Sequence, residues 1–171
     1  MSDVLVRALA STDADFLENL LTDSRIRQYL GGPLNVEQAK HRAHQWLQSQ
    51  DGQNWIILFQ GLSVGLISLG KHVDSQLPEL SFQLLSEFQG KNIAFDACRQ
   101  VLLGVKDTVV AETQVKNSKA QTLLKRLGFQ SQKTLERFGE IQRYFVRQAD
   151  FSLFATDAIA NNRPHAKKEA E

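Results

Sequence analysis

Apolar and polar residues along this chain follow two patterns, one typical of strands and one of helices, and the patterns succeed one another in order. In PELSFQLL, residues 78–85, apolar and polar residues alternate, which predicts a half-buried strand. Apolar residues then recur at helical spacing from Ile93 to Leu102, which predicts a helix. The stretch between them, SEFQGKN, is therefore predicted to be a strand-to-helix turn whose helix exposes free N–H groups.

The remaining strands are predicted by the same alternation. Glycine and polar residues separate the second, third and fourth strands by short loops, so these three are expected to be antiparallel neighbours. The predicted strands are residues 5–9, 54–60, 63–73, 78–85, 108–115, 129–138 and 140–148.

Four helices are predicted between these strands. The first is capped by residues 11–13 and ends near Leu30-Gly31-Gly32-Pro33, and Asn35 caps the second, with Gln38 in capping-box position. The third follows Asn92, and the fourth spans 118–127. The element order is β-α-α-β-β-β-α-β-α-β-β, which predicts an α/β (α+β) fold with helices against a mixed, mostly antiparallel sheet of about seven strands.

Composition and charge narrow the class of protein. The chain has 171 residues, which suits one domain over 1–150 followed by a tail, 151–171, that turns polar and is expected to be partly disordered. A net charge of +1 favours neither nucleic acid nor an anionic membrane as a partner. The single cysteine, Cys98, excludes an internal disulfide and a cysteine-based zinc site. With no long apolar run and no secretory signal at its start, the chain is expected to be cytoplasmic.

Three short motifs carry the functional signal. Gln89-Gly90-Lys91-Asn92-Ile93-Ala94 opens a helix after a strand, Asn117 begins NSKAQTLL, and Leu127-Gly128-Phe129 ends the helix that follows. Each alone has an ordinary structural interpretation as a turn, a helix cap or a helix stop. In this order and on these elements they resemble the GNAT superfamily of N-acetyltransferases over about residues 5–146. The sequence of these motifs is most similar to that of the branch of ribosomal-protein N-terminal acetyltransferases.

The resemblance implies acetyl-CoA as acyl donor, no metal, and a sheet whose central strands are splayed. A helix N-terminus suits a diphosphate because of its free N–H groups and its dipole. The central glycine of the family motif is Asn92 here, a residue type that tolerates a positive φ. The implied cofactor-binding residues are Gln89, Gly90, Lys91, Asn92, Ile93 and Ala94 for the pyrophosphate, with Asn117 and the backbone of Leu84 and Leu85 for the pantetheine arm.

The acid and base are less clearly marked. Related families carry a Ser or Tyr proton donor on the helix after Asn117, at positions that are Ala120 and Leu124 here, which leaves Ser118 as the candidate.

For the base, Glu79 is the preferred residue, either catalytic or an exposed carboxylate at a strand end. Glu112 is expected to be solvated and His72 to lie on the surface near a hairpin end.

Other chemistry-bearing residues have simpler interpretations. His41 and His44 share a helix face without a third ligand, so no metal site is predicted there. Cys98 is expected to be a buried thiol, and Trp46 and Trp55 are expected to be core residues. Finally, the segment Arg25–Tyr29, with Arg27 within it, is a candidate part of the acceptor groove.

The resulting hypothesis is transfer of an acetyl group to a primary amine by direct attack, with a peptide or protein N-terminal α-amine as preferred acceptor. An α-amine has a pKa of about 7.7–8.0 against about 10.4 for lysine, so a weaker base is enough to deprotonate it. Two alternatives stay open: a non-catalytic acyl-CoA-binding or regulatory module, and an enzyme acetylating a small-molecule amine such as an antibiotic or polyamine. The chain is expected to be a monomer or a homodimer, with the last two strands or the Leu153/Phe154 cluster as pairing surfaces.

Overall fold

The computed structural model describes residues 3–49 and 53–149, and the predicted tail with its Leu153/Phe154 cluster lies outside these residues. The described residues contain seven strands, which form one sheet in the order β1-β2-β3-β4-β5-β7-β6. The strands are β1 (Val4–Ala8), β2 (Gln53–Phe59), β3 (Leu62–Lys71), β4 (Pro78–Leu84), β5 (Val109–Gln114), β6 (Gln130–Arg137) and β7 (Glu140–Arg147).

Four α-helices connect the strands within the same residues. A short 3-10 turn, Ser11–Asp13, precedes the first helix, and another, Ser86–Phe88, follows β4. The predicted fold class and element order are confirmed, as is the Asn35 cap, whose side chain accepts the Gln38 N–H at 2.8 Å. The helices are α1 (Ala14–Thr22), α2 (Val36–Gln48), α3 (Ile93–Leu103) and α4 (Ser118–Arg126).

The predicted end of the first helix is wrong. Helix α1 stops at Thr22 because the Asp23 carboxylate accepts the N–H groups of Arg25 and Ile26 at 2.8 and 3.1 Å. A side chain that bonds the backbone two and three residues on forms a local turn in competition with the helix.

The predicted cap of that helix is also wrong, because the Asp13 carboxylate accepts the Ala10 N–H and the Arg7 guanidinium.

The two faces of the sheet pack against different helices. On one face, buried residues of β2–β5 and β7 pack with α3 and Leu124 of α4, and Trp55 packs against this cluster. On the other, Ile56 and Leu66 pack with α1 and α2, and the half-buried Trp46 packs there. Successive residues of β4 and of β5 lie on opposite faces of the sheet. Leu80 lies on the face covered by α3, so its neighbour Glu79 lies on the opposite face.

The centre of the sheet is interrupted between β4 and β5. These two strands are parallel, whereas all other neighbouring pairs of the sheet described are antiparallel. They pair at a single register position, Glu79 with Val110, near the start of each strand. Both strands continue for several residues beyond it, toward the N-termini of α3 and α4, so the predicted splay of the central strands is confirmed.

None of the helices formed by residues 3–49 and 53–149 is both long and apolar enough to cross a membrane.

Candidate active site

The N-terminus of α3 is preceded by two residues in the left-handed region. Gly90 has φ +76° and Asn92 has φ +61°, which places the turn where glycine and asparagine are tolerated best. Gln89 to Asn92 are exposed, while Ile93 is buried in the core. The Asn92 side chain makes no capping bond to the helix, and a Cβ built at Gly90 would meet no atom within 4 Å. The first turn of α3 therefore presents its N–H groups beside an uncrowded backbone, a geometry that fits a diphosphate.

The side chain of Asn92 points to the neighbouring helix. Its Oδ1 accepts a hydrogen bond from the Arg126 guanidinium at 2.9 Å, and this guanidinium also lies over the Phe95 ring, 4.3 Å from its centroid. The contact joins the end of α4 to the start of α3 and adds a positive charge beside the turn. Sequence reasoning missed it, because the two residues are 34 positions apart.

The strand end before the turn is partly occupied by bonds within the protein. The Leu85 N–H donates to the Val64 carbonyl of β3 at 2.9 Å, so Leu85 does not offer this donor to a cofactor. Because backbone groups of successive residues in a strand point to opposite sides, those of Leu84 face the gap toward β5. The Leu84 carbonyl accepts a hydrogen bond from the Gln89 side-chain amide at 3.2 Å. The N–H group of Leu84 remains on the side of the gap.

Two other residues of the motif lie at the rim of this turn. Lys91 extends its ammonium over the Phe88 ring, 5.5 Å from the centroid. Ala94, in the first turn of α3, packs partly buried against the core.

The start of α4 carries Asn117 and Ser118. The Asn117 side chain caps the helix by accepting the Ala120 N–H at 3.2 Å. Ser118 is exposed in the first turn, and Leu124 is buried in the core. The structure thus gives Asn117 a clear local role and brings Ser118 to the end of β5 without a side-chain contact to Glu79.

Glu79 lies half-buried at the beginning of β4, opposite Val110 of β5. Burial raises the pKa of its carboxyl, and the nearby carboxylates of Glu112 and Asp74 raise it further against the opposing effect of the Arg137 guanidinium. We call the face of β4, β5 and β7 that carries Glu79, Glu112 and Tyr144 the Glu79 face.

The expectations for Glu112 and His72 are wrong, because both side chains are buried in one hydrogen-bonded network. The Glu112 side chain is 9% exposed, and its carboxylate bonds His72 Nε2 at 2.9 Å and Arg137 Nε at 2.8 Å. The His72 side chain is 3% exposed, and its ring lies against Tyr144 with the centroids 5.3 Å apart. Nothing in the sequence marked Arg137 as the partner of Glu112.

The bonds of His72 fix its tautomer. Nδ1 accepts the backbone N–H of Ser75 at 3.1 Å, and a backbone N–H only donates. The proton of the neutral ring therefore lies on Nε2, which donates to Glu112. His72 has no free basic nitrogen to act as the base, so Glu79 is the stronger candidate.

A cation-binding group was not expected from the sequence, yet ligand atoms of His72, Asp74 and Glu112 lie within 4.8 Å of one another. Arg137 already bonds both carboxylates, at 2.6 Å to Asp74 and 2.8 Å to Glu112. The guanidinium thus takes the position of a cation, and the cluster does not fit a metal site. His41 and His44 join no group of three potential ligands in the part of the chain described.

One residue of the candidate acceptor-groove segment Arg25–Tyr29, Arg27, has a structural role. The Arg27 guanidinium donates to the carbonyls of Gly32 and Leu30, both at 2.7 Å, and so closes the loop after α1. Arg25 is exposed beside this loop. Cys98 is fully buried as predicted, and burial raises the pKa of its thiol to about 12.

Comparison with known proteins identifies the family. The model of the acetyltransferase (GNAT) domain matches residues 3–130. A search of curated protein sequences finds no significant match. Among solved structures, the ribosomal-protein-S5-alanine acetyltransferase from Vibrio fischeri is 18% identical with a TM-score of 0.72, covering 88% of this chain and 95% of that one.

Two further structures share the fold at low identity. Spermidine N-acetyltransferase from Vibrio cholerae, in complex with CoA and spermine, is 20% identical with a TM-score of 0.68, covering 85% of this chain and 96% of that one. Aminoglycoside acetyltransferase AAC(6')-Ib, in complex with coenzyme A, is 16% identical with a TM-score of 0.73, covering 90% and 99%. At these identities the three structures establish the fold alone, and the family match, which spans most of the chain, confirms the resemblance at the level of the superfamily. The chain therefore belongs to the GNAT family of N-acetyltransferases.

Proposed function

We propose that this enzyme transfers the acetyl group of acetyl-CoA to a primary amine, with a peptide or protein N-terminal α-amine as the preferred acceptor. The observation that carries the proposal is the gap between β4 and β5, which opens from the Glu79–Val110 pair toward the uncapped N-terminus of α3. A thioester lying along β4 in this gap would have its diphosphate at α3 and its reactive end toward Glu79. The CoA-bound relatives named above support this use of the fold.

Different residues of the chain bind acetyl-CoA and transfer the proton. The first turn of α3 holds the diphosphate, and the Leu84 N–H bonds the arm in the manner of an added strand. Glu79 accepts a proton from the acceptor ammonium, and the neutral amine then attacks the thioester carbon directly. The C–S bond breaks as the amide forms, and the CoA thiolate leaves with the proton that the attacking nitrogen gives up. Cys98 is the single cysteine of the chain and is buried with a raised pKa, so a covalent acyl-cysteine step is not supported.

The preference for an α-amine follows from proton affinity. An α-amine with pKa of about 7.7–8.0 is partly neutral at pH 7, whereas a lysine side chain at about 10.4 is almost fully charged. A site with one available carboxylate base and no donor at Ala120 or Leu124 suits the less basic amine.

The test begins with calorimetric titration of acetyl-CoA and of CoA, followed by a thiol-release assay with short peptides and their N-acetylated forms as controls. Micromolar binding and CoA release with free peptides alone are the expected results. Binding without release for any amine in a broad panel would contradict the proposal.

That last outcome describes the second candidate, a non-catalytic acyl-CoA-binding module. It is favoured by one observation: Ala120 and Leu124 occupy the positions where related enzymes carry a proton donor. Steady CoA release with a peptide eliminates it.

A further inference from the structure

The Glu79 face carries three carboxylates at one end, and they differ in their partners. Asp74 and Glu112 both bond Arg137, and Glu112 also accepts the His72 proton. The Glu79 carboxylate has no hydrogen bond or ion pair with the residues of the described chain, although it interacts electrostatically with Asp74, Glu112 and Arg137. It is therefore the carboxylate of the cluster that stands open to a substrate.

Arg137 reaches this cluster from the end of β6. Its Nη2 bonds Asp74 at 2.6 Å and Glu112 at 3.2 Å, and its Nε bonds Glu112 at 2.8 Å. Such forked, charge-assisted bonds are among the stronger ones in proteins. The Arg137 side chain is 20% exposed and bonds both carboxylates at once.

The charge of the cluster follows from these contacts. His72 is neutral in the tautomer that its bonds impose, and Arg137 supplies the one positive charge among these five residues. The Lys133 ammonium lies over the Tyr144 ring and also acts on Asp74. Three carboxylates against one guanidinium and one ammonium still leave excess negative charge, which attracts an ammonium group to Glu79.

We propose that Arg137 is a specificity-determining residue of the acceptor site: it takes the place beside Asp74 and Glu112 that a second substrate cation would need, so that the acceptor offers one ammonium, to Glu79. The inference rests on the proposed function, since it concerns the acceptor of the same site. It separates monoamines, such as a peptide N-terminus, from polyamines, whose several ammonium groups favour neighbouring unpaired carboxylates.

Replacing the Arg137 guanidinium is expected to shift the acceptor preference from a monoamine to a polyamine. Arg137→Gln leaves the exposed Asp74 without its cation and leaves Glu112 bonded to His72 alone, so a polyamine gains at least one further ion pair while a monoamine gains none. A charge-assisted bond corresponds to roughly a tenfold or greater change in affinity.

The experiment measures spermidine and a tripeptide amide on the wild type, Arg137→Gln and Arg137→Lys, both by calorimetry and by the ratio of kcat/KM values. Arg99→Gln, an exposed arginine on α3, is the matched control for loss of one positive charge. Spermidine is expected to bind about tenfold more tightly to Arg137→Gln than to the wild type, and Arg137→Lys and Arg99→Gln are expected to behave as the wild type does. Equal spermidine affinity in Arg137→Gln and the wild type overturns the inference.

Loss of a partner from a buried ion pair destabilises a fold, so thermal unfolding accompanies each variant. If Arg137→Gln does not fold, the double variant Arg137→Met with Glu112→Gln removes both buried charges and frees Asp74 alone, and a spermidine affinity gain of about threefold is expected. An unchanged affinity there overturns the inference as well. Calorimetry needs no acyl transfer, so an inactive wild type contradicts the proposed function while the spermidine titration still decides on Arg137.

Discussion

Gly65, in the middle of β3, provides a test of how packing within the sheet positions β4 beside the gap between β4 and β5. It lies opposite Ile57 of β2 and Leu84 of β4, where the three strands approach closely. A Cβ at this position would be pressed against the Gln83 carbonyl oxygen and would lie 2.9 Å from Leu84 Cδ1 and 3.0 Å from Ile57 Cδ1. The closest of these atoms belongs to the backbone, so a side-chain rotation does not relieve the clash.

The cost of Gly65→Ala follows from this geometry. Overpacking costs about 1–3 kcal/mol, and the upper part of that range applies when β4 itself must move. Lower chain entropy in the unfolded state returns about 0.5–1 kcal/mol, which leaves a net loss of about 1.5–2.5 kcal/mol. For a domain of about 150 residues this lowers the Tm by roughly 3–10 °C. The shift of Leu84 is also expected to weaken acetyl-CoA binding.

Differential scanning calorimetry and acetyl-CoA titration measure the two effects. Gly70→Ala is the matched control for stability, because Gly70 lies on the same strand and a Cβ there would meet no atom within 4 Å. The control is expected to leave the Tm unchanged or slightly raised. Equal Tm values for the two variants would refute the packing argument.

Four further outcomes are expected. Glu79→Gln lowers kcat/KM for the acceptor amine, and because the pKa of Glu79 is raised, the acidic limb of the wild-type pH–rate profile lies above the ordinary carboxylate range near 4.5; a profile that the substitution leaves unchanged excludes Glu79 as base. Asn92→Gly keeps the positive φ and retains acetyl-CoA binding, whereas Asn92→Val abolishes it in calorimetry, and equal affinities would contradict the role of the turn. The Arg7 guanidinium lowers the pKa of Asp13, so the ion pair contributes stability above the unfolded pKa near 3.8 that is lost as pH falls through the lower folded value; Asp13→Asn costs about 1–3 kcal/mol at pH 7 in denaturant titration, and a loss of the same size at pH 2 would argue against the ionic contribution. The Cys98 thiol does not react with a disulfide reagent in the native protein and reacts on unfolding, and rapid native labelling would contradict its burial.

The sequence predicted the order of elements, because alternation and helical spacing are local signals. It placed Glu79 on one strand and Glu112 on the next, and the register of β4 with β5 then brought them to one face. The φ angle of Asn92 also followed from its residue type.

Contacts between distant residues had no such signal. Arg137 is 25 positions from Glu112 and 63 from Asp74, and its hairpin gave no indication of where a long side chain would end. For the same reason the burial of His72 was missed: its partner Glu112 of β5 is 40 positions away. The end of α1 was misjudged because the Asp23 turn competes with helix continuation over only a few residues.

The single pairing position between β4 and β5 has a consequence for folding. The strands before it and the strands after it form two antiparallel blocks, each with its own ladders. Among the residues described, their edges share the one register position of Glu79 with Val110, and the side-chain bonds of His72 with Glu112 and of Arg137 with Asp74 add to it. We expect the blocks to form as separate cooperative units and to dock late. A ligand in the gap would bridge the two blocks, so acetyl-CoA should slow amide hydrogen exchange in β5 and β7 as well as in β4; protection confined to β4 would contradict this view.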